Sequence, residues 1–264
     1  MPDNHDQARS PAYRLPALDS DFILGDSMRG VRFLLEYAKA EETLRKWGVR
    51  STLVVFGSSR VRPGTGDRPS GAGRWYEEAR RFGRIASERG GAMAPNGRLR
   101  DNVIATGGGP GIMEAANRGA YEIGAPSIGF NIQLPHDQPP NAFTTPELTF
   151  QFHYFAMRKM HLAMRAAALV VFPGGFGTLD ELFEIVTLVQ TRKTPQFPVL
   201  CVDGDYWRRI INFDALVEHN MIAPADVHLL KFVEDAEDAW ATLVAAGLSV
   251  PAEPPPERKA PPAT

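Results

Sequence analysis

The sequence has a single cysteine and a small net charge, and each of these features argues against a class of protein. Its single cysteine, Cys201, rules out an intrachain disulfide framework, and the apolar run FPVLCV around it predicts a buried strand residue. The formal net charge of −2 argues against broad binding of nucleic acids or anionic membranes. No spacing of histidine and cysteine suggests a metal site, so we expect neither a metal nor another cofactor.

Long apolar segments are also missing. No segment approaches the ~20 apolar residues of a membrane span, and the start MPDNHDQARS has no apolar core of the signal-peptide type. These features predict a cytoplasmic protein. The first 20 residues are polar and contain several prolines, and residues 250–264 are proline-rich. We expect 1–20 and 250–264 to be disordered tails on either side of one domain, 21–249.

What the sequence does contain is a regular alternation of short apolar runs and helical patterns. A helical pattern over about 26–47 comes first, and the later apolar runs are continuous rather than alternating. Such runs are typical of parallel strands covered on both faces, which predicts a doubly wound α/β sheet, mostly parallel, with helices on both faces. The predicted strands are 51–56, 102–106, 126–130, 147–152, 167–172 and 197–202, and the later helices are 74–89, 111–123, 154–166, 178–191 and 205–217.

Three loops at predicted strand ends are unusual. They are FGSSR (56–60), TGGGPGIME (106–114) and PGGFGTLDE (173–181). In open α/β sheets, ligands bind beyond the carboxyl ends of the strands. Glycines let backbone amides approach a ligand closely, and a helix that begins there offers free N–H groups to an anion. The two glycine loops, with the hydroxyls of FGSSR, predict a site for a phosphorylated, sugar-bearing ligand.

The two commonest phosphate-binding fingerprints are absent. After Gly107 and Gly109, the third glycine position of G-x-G-x-x-G is occupied by Ile112. Neither glycine loop carries the lysine of the P-loop pattern. Dinucleotide-dependent oxidoreductases and P-loop NTPases are therefore disfavoured.

The carboxylates after the second glycine loop have two interpretations. Thr178-x-x-Glu181 has the spacing of a capping box, which would make Glu181 structural. Alternatively, Asp180 and Glu181 stand on the first helical turn, at the rim of the ligand site. The predicted apolar stripe of this helix is Leu179, Leu182, Phe183, Val186 and Val189, opposite Asp180, Glu181, Glu184 and Thr187.

A basic residue begins the preceding helix, in the segment YFAMRKMHLAMR. Arg158 lies near the helix start, where its charge opposes the helix dipole. This placement indicates a nearby carboxylate or phosphate. Lys159 and Arg165 are explained by a solvated face.

Together these segments resemble the LOG ("lonely guy") family. PGGFGTLDE fits the signature PGGxGTxxE, and GGGPGIMEAANRGA and MRK fit two further segments of the family, within a resemblance that runs from about residue 50 to 245. The resemblance implies a Rossmann-like fold, assembly as a homodimer or higher homo-oligomer, and a nucleoside 5′-monophosphate as substrate. Family members are phosphoribohydrolases, which cleave cytokinin riboside 5′-monophosphates, and often AMP, to free base and ribose 5-phosphate. Many relatives were once labelled lysine decarboxylases, but no residue pattern here points to a pyridoxal phosphate site.

The resemblance also implies roles for individual residues. Arg158 and Glu181 match the catalytic pair. The implied substrate-binding residues are Ser58, Gly107, Gly108, Gly109, Gly111, Glu114, Lys159, Gly174, Gly175, Gly177 and Thr178. The chain departs from short plant-like members in its N-terminal helix, in Asp180 where Glu is common, and in the extended loop LPHDQPPNAFTTPELTFQF.

The implied chemistry leaves several choices open. Glu181 can stabilise the oxocarbenium-like charge on the sugar, position the ribose hydroxyls, or take a proton from the attacking water. Asp180 or water would protonate the leaving base. Rival functions are a non-catalytic nucleotide sensor or carrier, a dinucleotide-dependent oxidoreductase, and an assembly subunit.

Overall fold

Seven parallel strands form a single sheet in the computed structural model, which describes residues 3–64, 72–94, 99–135 and 138–251. The strands are β1 Thr52–Phe56, β2 Val103–Thr106, β3 Ser127–Ile132, β4 Thr149–Phe152, β5 Ala166–Val171, β6 Val199–Val202 and β7 Leu230–Val233. The helices are α1 His5–Arg9, α2 Ser20–Leu24, α3 Arg29–Lys46, α4 Ala72–Arg89, α5 Ile112–Tyr121, α6 Phe155–Met164, α7 Phe176–Gln190, α8 Gly204–Ile210, α9 Phe213–Glu218 and α10 Ala236–Ala245. The predicted α/β fold, Rossmann-like and doubly wound, is confirmed.

The strand order β4-β3-β2-β1-β5-β6-β7 decides where a ligand can bind. The chain moves outwards from β1 through β2 to β4, then returns to the other side of β1 with β5. The sheet therefore reverses its winding between β1 and β5. A crevice opens at the carboxyl edge of such a reversal, and ligands of open α/β sheets bind there.

Burial explains why the apolar runs form strands. Every residue of β1 and of β6 is buried, and both are rich in β-branched and aliphatic side chains that suit a covered sheet. Cys201 in β6 is fully buried, as predicted, and burial raises the pKa of its thiol to about 12.

The six predicted strands are all present, with ends within two residues of the predicted ones. The prediction of a single helix over 205–217 is wrong, because two short helices, α8 and α9, occupy this region. Helix α8 ends at Ile210, and Asn212 starts a new helix, α9, by accepting a capping hydrogen bond from Ala215 N at 3.0 Å. The sequence patterns named no element for β7 or α10.

The chain ends bear on the predicted tails. Residues 5–18 form α1 and two short 3₁₀ turns, Pro11–Tyr13 and Pro16–Leu18, none of which has a buried residue. The disordered tail 1–20 and the domain limits 21–249 stay predictions. Most of the predicted tail 250–264 lies outside the described residues. No helix in the described ranges has both the length and the apolar character that a membrane crossing needs.

Candidate active site

Three loops meet at the carboxyl edge where the sheet reverses. They follow β1, β2 and β5, the strands on either side of the crevice. Ser58 N donates to Pro173 O at 3.0 Å, and Ile112 N donates to Ser58 O at 3.1 Å. The loop of Ser58 therefore joins both glycine loops through backbone hydrogen bonds.

The first glycine loop is packed tightly around its buried backbone. Gly108 and Gly111 adopt φ of +69° and +75°, which glycine accepts and other residues resist. A Cβ on Gly111 would lie 2.3 Å from Ser58 O, and one on Gly108 would lie 2.4 Å from Asn131 Nδ2. The glycines here are required by the close approach of neighbouring loops.

A buried polar network fixes the shape of this loop. Thr106 Oγ1 donates to Asn117 Oδ1 at 2.7 Å and accepts from Gly108 N at 2.9 Å. Asn141 donates from its backbone N to Gly108 O at 2.8 Å, and from Nδ2 to Gly109 O at 3.1 Å. Asn117 and Asn141 were missed by the sequence analysis, because nothing in their local pattern shows that they meet 24 residues apart.

The second glycine loop is more open. Gly174 is buried, but Gly175, Phe176 and Gly177 are exposed, and the Phe176 side chain is 93% exposed. The loop is held from α8 by Tyr206, whose hydroxyl donates to Gly174 O at 2.7 Å. Tyr206 was also missed. The only local sequence signal is an aspartate cap, since Asp203 accepts from Tyr206 N at the start of α8.

The capping-box interpretation of Thr178 and Glu181 is wrong. Helix α7 begins at Phe176 with Gly175 as its N-cap, two residues earlier than predicted, so Thr178 is the third helical residue. Glu181 therefore lies on the second turn, not the first. Thr178 is buried and packs where a Cβ on Gly174 would be, 2.1 Å from the Thr178 Oγ1.

Arg158 and Glu181 form a buried ion pair at this edge. Arg158 Nη2 donates to Glu181 Oε1 at 2.6 Å, and the two side chains are 10% and 2% exposed. Arg158 Nε is buried and has no hydrogen-bond partner in the part of the chain that the structure describes. A Cβ on Gly107 would lie 3.5 Å from Arg158 Nη1, so the pair reaches the first glycine loop.

Burial raises the pKa of Glu181 above its ordinary value of 4.5, although the charges of Arg158 and Lys159 oppose this shift. Glu184 and Asp180 add to the rise. A carboxyl group with a raised pKa exchanges a proton more readily near neutral pH than an ordinary carboxylate does. The site therefore holds a group suited to proton transfer.

Two of the predicted substrate-binding residues already have protein partners. Lys159 Nζ lies 2.8 Å from Asp180 Oδ2 and 2.6 Å from Glu184 Oε2, on the outer side of α7. Glu114 Oε1 accepts a hydrogen bond from the buried Tyr76 hydroxyl at 2.8 Å. Neither residue joins the Arg158–Glu181 pair by a hydrogen bond.

The apolar stripe of α7 differs from the prediction at two positions. Leu182 and Val189 are buried as predicted, but Phe183 is 39% exposed and Glu181 is buried. The helix thus turns the Glu181 carboxylate inwards and the Phe183 ring outwards. In the described ranges, no group of three or more His, Cys, Asp or Glu side chains could hold a metal ion.

Part of the chain is similar to known proteins. A family model described as "Possible lysine decarboxylase" matches residues 113–243. The probable cytokinin riboside 5′-monophosphate phosphoribohydrolase LOG6 of Arabidopsis thaliana is 27% identical over 143 residues, which cover 54% of this chain and 71% of that protein. LOG5 of the same plant, named as a cytokinin riboside 5′-monophosphate phosphoribohydrolase, is 26% identical over 52% of this chain and 60% of its own length.

A rice relative extends the comparison. The probable phosphoribohydrolase LOGL6 of Oryza sativa subsp. japonica is 27% identical, over 49% of this chain and 52% of its own length, so the matched segment spans only about half of that protein. Among solved structures, the molybdenum cofactor binding protein of Rippkaea orientalis is similar over 74% of this chain and 96% of that chain, with 18% identity and a TM-score of 0.47. The family model and the plant relatives bear out the resemblance to the LOG family that the sequence motifs predicted.

Proposed function

We propose that this protein is a nucleoside 5′-monophosphate phosphoribohydrolase, which hydrolyses the N-glycosidic bond of AMP, of cytokinin riboside 5′-monophosphates, or of both. The observation that carries the proposal is the buried Arg158–Glu181 pair, which lies beside two glycine loops where the sheet reverses. The names of the plant relatives support the same reaction class.

The phosphate would bind at the glycine loops. The second loop leads into α7, whose N-cap is Gly175 and whose second residue is Gly177, so neither position carries a side chain. Backbone N–H groups and the helix dipole favour an anion there. Fixing the phosphate also fixes the ribose and supplies binding energy at a distance from the reacting carbon. We propose contacts from Ser58 and Thr178 and from the glycines of both loops.

Glu181 would act at the ribose. In the reaction a water oxygen bonds to C1′, the bond from C1′ to the base nitrogen breaks, the water loses a proton and the base gains one. Charge on the sugar is oxocarbenium-like in this class of reaction, and a carboxylate stabilises it. Arg158 would orient Glu181 through the hydrogen bond from its Nη2.

Lys159, Glu114 and Asp180 would have supporting roles. Lys159 lies in ion pairs with Asp180 and Glu184, so we propose that it acts on the site by its charge. Glu114 is held by Tyr76 at the first turn of α5 and would line the site from there. Asp180 is 56% exposed in its side chain and remains a candidate, with water, for protonating the leaving base.

The test is base release from AMP and from isopentenyladenosine 5′-monophosphate, followed by chromatography. We expect the wild type and Glu88→Gln, which changes an exposed carboxylate on α4, to release adenine or isopentenyladenine with ribose 5-phosphate. Glu181→Gln should bind nucleotide but release base at least about 100-fold more slowly, as expected when a catalytic carboxylate is neutralised. Nucleotide binding without release by the wild type would instead favour the sensor.

The pH dependence tests the role of the ion pair. If Glu181 acts in its ionised form, kcat should fall as the pH is lowered, with a midpoint above pH 4.5, because burial raises the pKa of Glu181. This fall is the acid limb of the pH profile. Arg158→Gln removes a charge that lowers this pKa, so the limb should move to higher pH. An acid limb that does not move in this variant would contradict the pairing of these two groups during catalysis.

We further propose a homodimer or a larger homo-oligomer in the cytoplasm, where nucleoside monophosphates are found. The support is exposed apolar surface on α6 and α7: Phe155 is 49% exposed, Phe176 93% and Phe183 39%. An open groove of about 540 Å³ runs beside Phe183 and Leu188. Light scattering during gel filtration measures the mass in solution, and a monomer at micromolar concentration would contradict this part of the proposal.

A further inference from the structure

Helix α3 lies outside the segment that the family model matches, yet it holds the helix that carries Arg158. We infer that Glu36 of α3 is a positioning residue, which fixes the start of α6 and through it the Arg158–Glu181 pair. The inference rests on the proposed function, because it assigns the effect of α3 to the same reaction.

Glu36 supplies the cap that α6 lacks. The N-cap residue of α6, Tyr154, makes no side-chain capping hydrogen bond. Instead, Glu36 Oε1 accepts from His153 N at 2.9 Å, and Glu36 Oε2 accepts from Tyr154 N at 3.3 Å. The first N–H groups of a helix have no partner within it, and a carboxylate there also meets the positive end of the dipole. A residue 117 positions earlier in the chain therefore completes the start of α6.

Tyr154 is fixed by a second set of contacts from α3. Arg32 Nε donates to the Tyr154 hydroxyl at 2.9 Å. The ring of Phe33 meets the Tyr154 ring edge to face, with centroids 4.3 Å apart. Arg32 is itself anchored, since its Nη1 donates to Ile23 O at 2.9 Å and to Gly25 O at 2.7 Å. The start of α6 is thus held through both its backbone and its side chain.

The other end of α6 is attached to the same helix. Arg165, the C-cap residue of α6, pairs with Glu41 Oε2 at 2.8 Å, and both side chains are almost buried. Burial raises the pKa of Glu41, but hydrogen bonds and charges from Arg165 and Arg45 outweigh it and lower the pKa below its ordinary value. Between the two ends, the ring of Tyr37 stacks on His161 with centroids 5.6 Å apart. Helix α3 therefore contacts α6 along its whole length.

The start of α6 determines where Arg158 lies. Arg158 N donates to Tyr154 O at 3.2 Å, so Arg158 is one turn from the residue that Glu36 caps. A turn that loosens at Tyr154 changes the position of the Arg158 side chain, which must stay 2.6 Å from Glu181. Small displacements of a catalytic group cost rate rather than stability.

The experiment compares Glu36→Ala and Glu36→Gln with Glu42→Gln, a matched control at an exposed carboxylate of the same helix that pairs with Lys46. We expect kcat for AMP to fall on the order of tenfold in Glu36→Ala, within the range that misplacing a catalytic group produces. Glu36→Gln should lie between the wild type and Glu36→Ala, because one amide oxygen still accepts. KM for AMP in the Glu36 variants should stay within about twofold of the wild-type value, because correct positioning of Arg158 and Glu181 stabilises the transition state rather than the bound substrate.

A second measurement does not need activity. Hydrogen exchange followed by mass spectrometry should show faster exchange at residues 153–158 in Glu36→Ala, with the peptides of β1 and β5 unchanged. The control should match the wild type in both measurements.

The outcomes separate the two proposals. A wild type that releases no base overturns the proposed function, while the exchange measurement still tests whether Glu36 fixes α6. Unchanged kcat in both Glu36 variants overturns the positioning inference and leaves the function standing. A loss of activity that only follows a lower unfolding temperature, with faster exchange across the sheet, overturns it as well, because α3 would then stabilise the fold alone.

Discussion

The two glycine loops lie side by side at the carboxyl edge of the sheet, but glycine is present in them for different physical reasons. In the first loop, a Cβ on Gly108 or Gly111 would collide with a neighbouring residue within 2.4 Å. In the second, Gly174 is equally crowded, but a Cβ on Gly175 or Gly177 would meet nothing within 4 Å in the described part of the chain apart from chain neighbours and the backbone of the same helix. The first loop therefore needs glycine to fold. The second has room for side chains at Gly175 and Gly177, so packing does not explain these two glycines, and we propose that their open backbone serves a ligand.

The largest expected effect comes from filling the first loop. Gly111→Ala places a Cβ 2.3 Å from Ser58 O at a φ of +75°. We expect it to lower the free energy of unfolding by about 3 kcal/mol or more, from backbone strain and the clash together. Urea unfolding measures this loss.

Gly124→Ala is the matched control, because Gly124 has a φ of +73° but open space around its Cβ. It should lose only about 1–2 kcal/mol, the cost of left-handed backbone for alanine. Equal losses in the two variants would show that crowding at Gly111 contributes nothing. The claim that close packing requires glycine in the first loop would then be wrong.

The polar network below the first loop should give the next largest effect. Asn117 accepts from Thr106 and Asn141 and donates to Ser127 Oγ at 3.0 Å, all buried. Asn117→Ala leaves several of these groups without partners, so we expect a loss of about 2–3 kcal/mol in urea unfolding. Ser127→Ala breaks fewer of the same contacts and should cost about 1 kcal/mol. A cost for Asn117→Ala no greater than that for Ser127→Ala would argue against a network centred on Asn117.

The contrast between the loops was only half visible in the sequence. Continuous apolar runs such as TLVVF placed the strands, and parallel strands bring their following loops to one edge, so the meeting of Ser58 with both glycine loops could be predicted. The pairing of Arg158 with Glu181 followed from the family resemblance.

What the sequence could not predict depends on contacts between distant residues. The spacing of Thr178 and Glu181 matches a capping box, but α7 begins at Phe176 and includes Gly177, because the loop is held from outside by Tyr206. The start of α6 is capped by Glu36, and the first glycine loop is held by Asn141. Local propensity carries no information about such partners.

Loosening the second loop should have a smaller effect than breaking the first. Tyr206→Phe removes only the hydroxyl that donates to Gly174 O, so we expect a loss of about 1 kcal/mol in stability. Affinity for AMP should fall several-fold in titration calorimetry, because Gly174 precedes the proposed phosphate site. Tyr13→Phe, at a side chain 75% exposed, is the control and should change neither quantity. Unchanged AMP affinity in Tyr206→Phe would mean that the second loop keeps its shape without this anchor.

The smallest change in stability should come from Gly177→Ala, which we expect to be neutral or slightly stabilising. This variant tests whether the open glycines of the second loop serve a ligand rather than the fold. Gly177 is the second residue of α7, with open space at its Cβ, and alanine favours a helix over glycine by up to about 1 kcal/mol. Gly30→Ala is closely matched, at the second residue of α3 and equally open. Both variants should be as stable as the wild type or slightly more so. Only Gly177→Ala should weaken AMP binding, because its methyl group stands where the phosphate approaches the amides. If AMP binds both variants equally well, the open glycines of the second loop do not serve the phosphate, and the difference between the loops is one of packing alone.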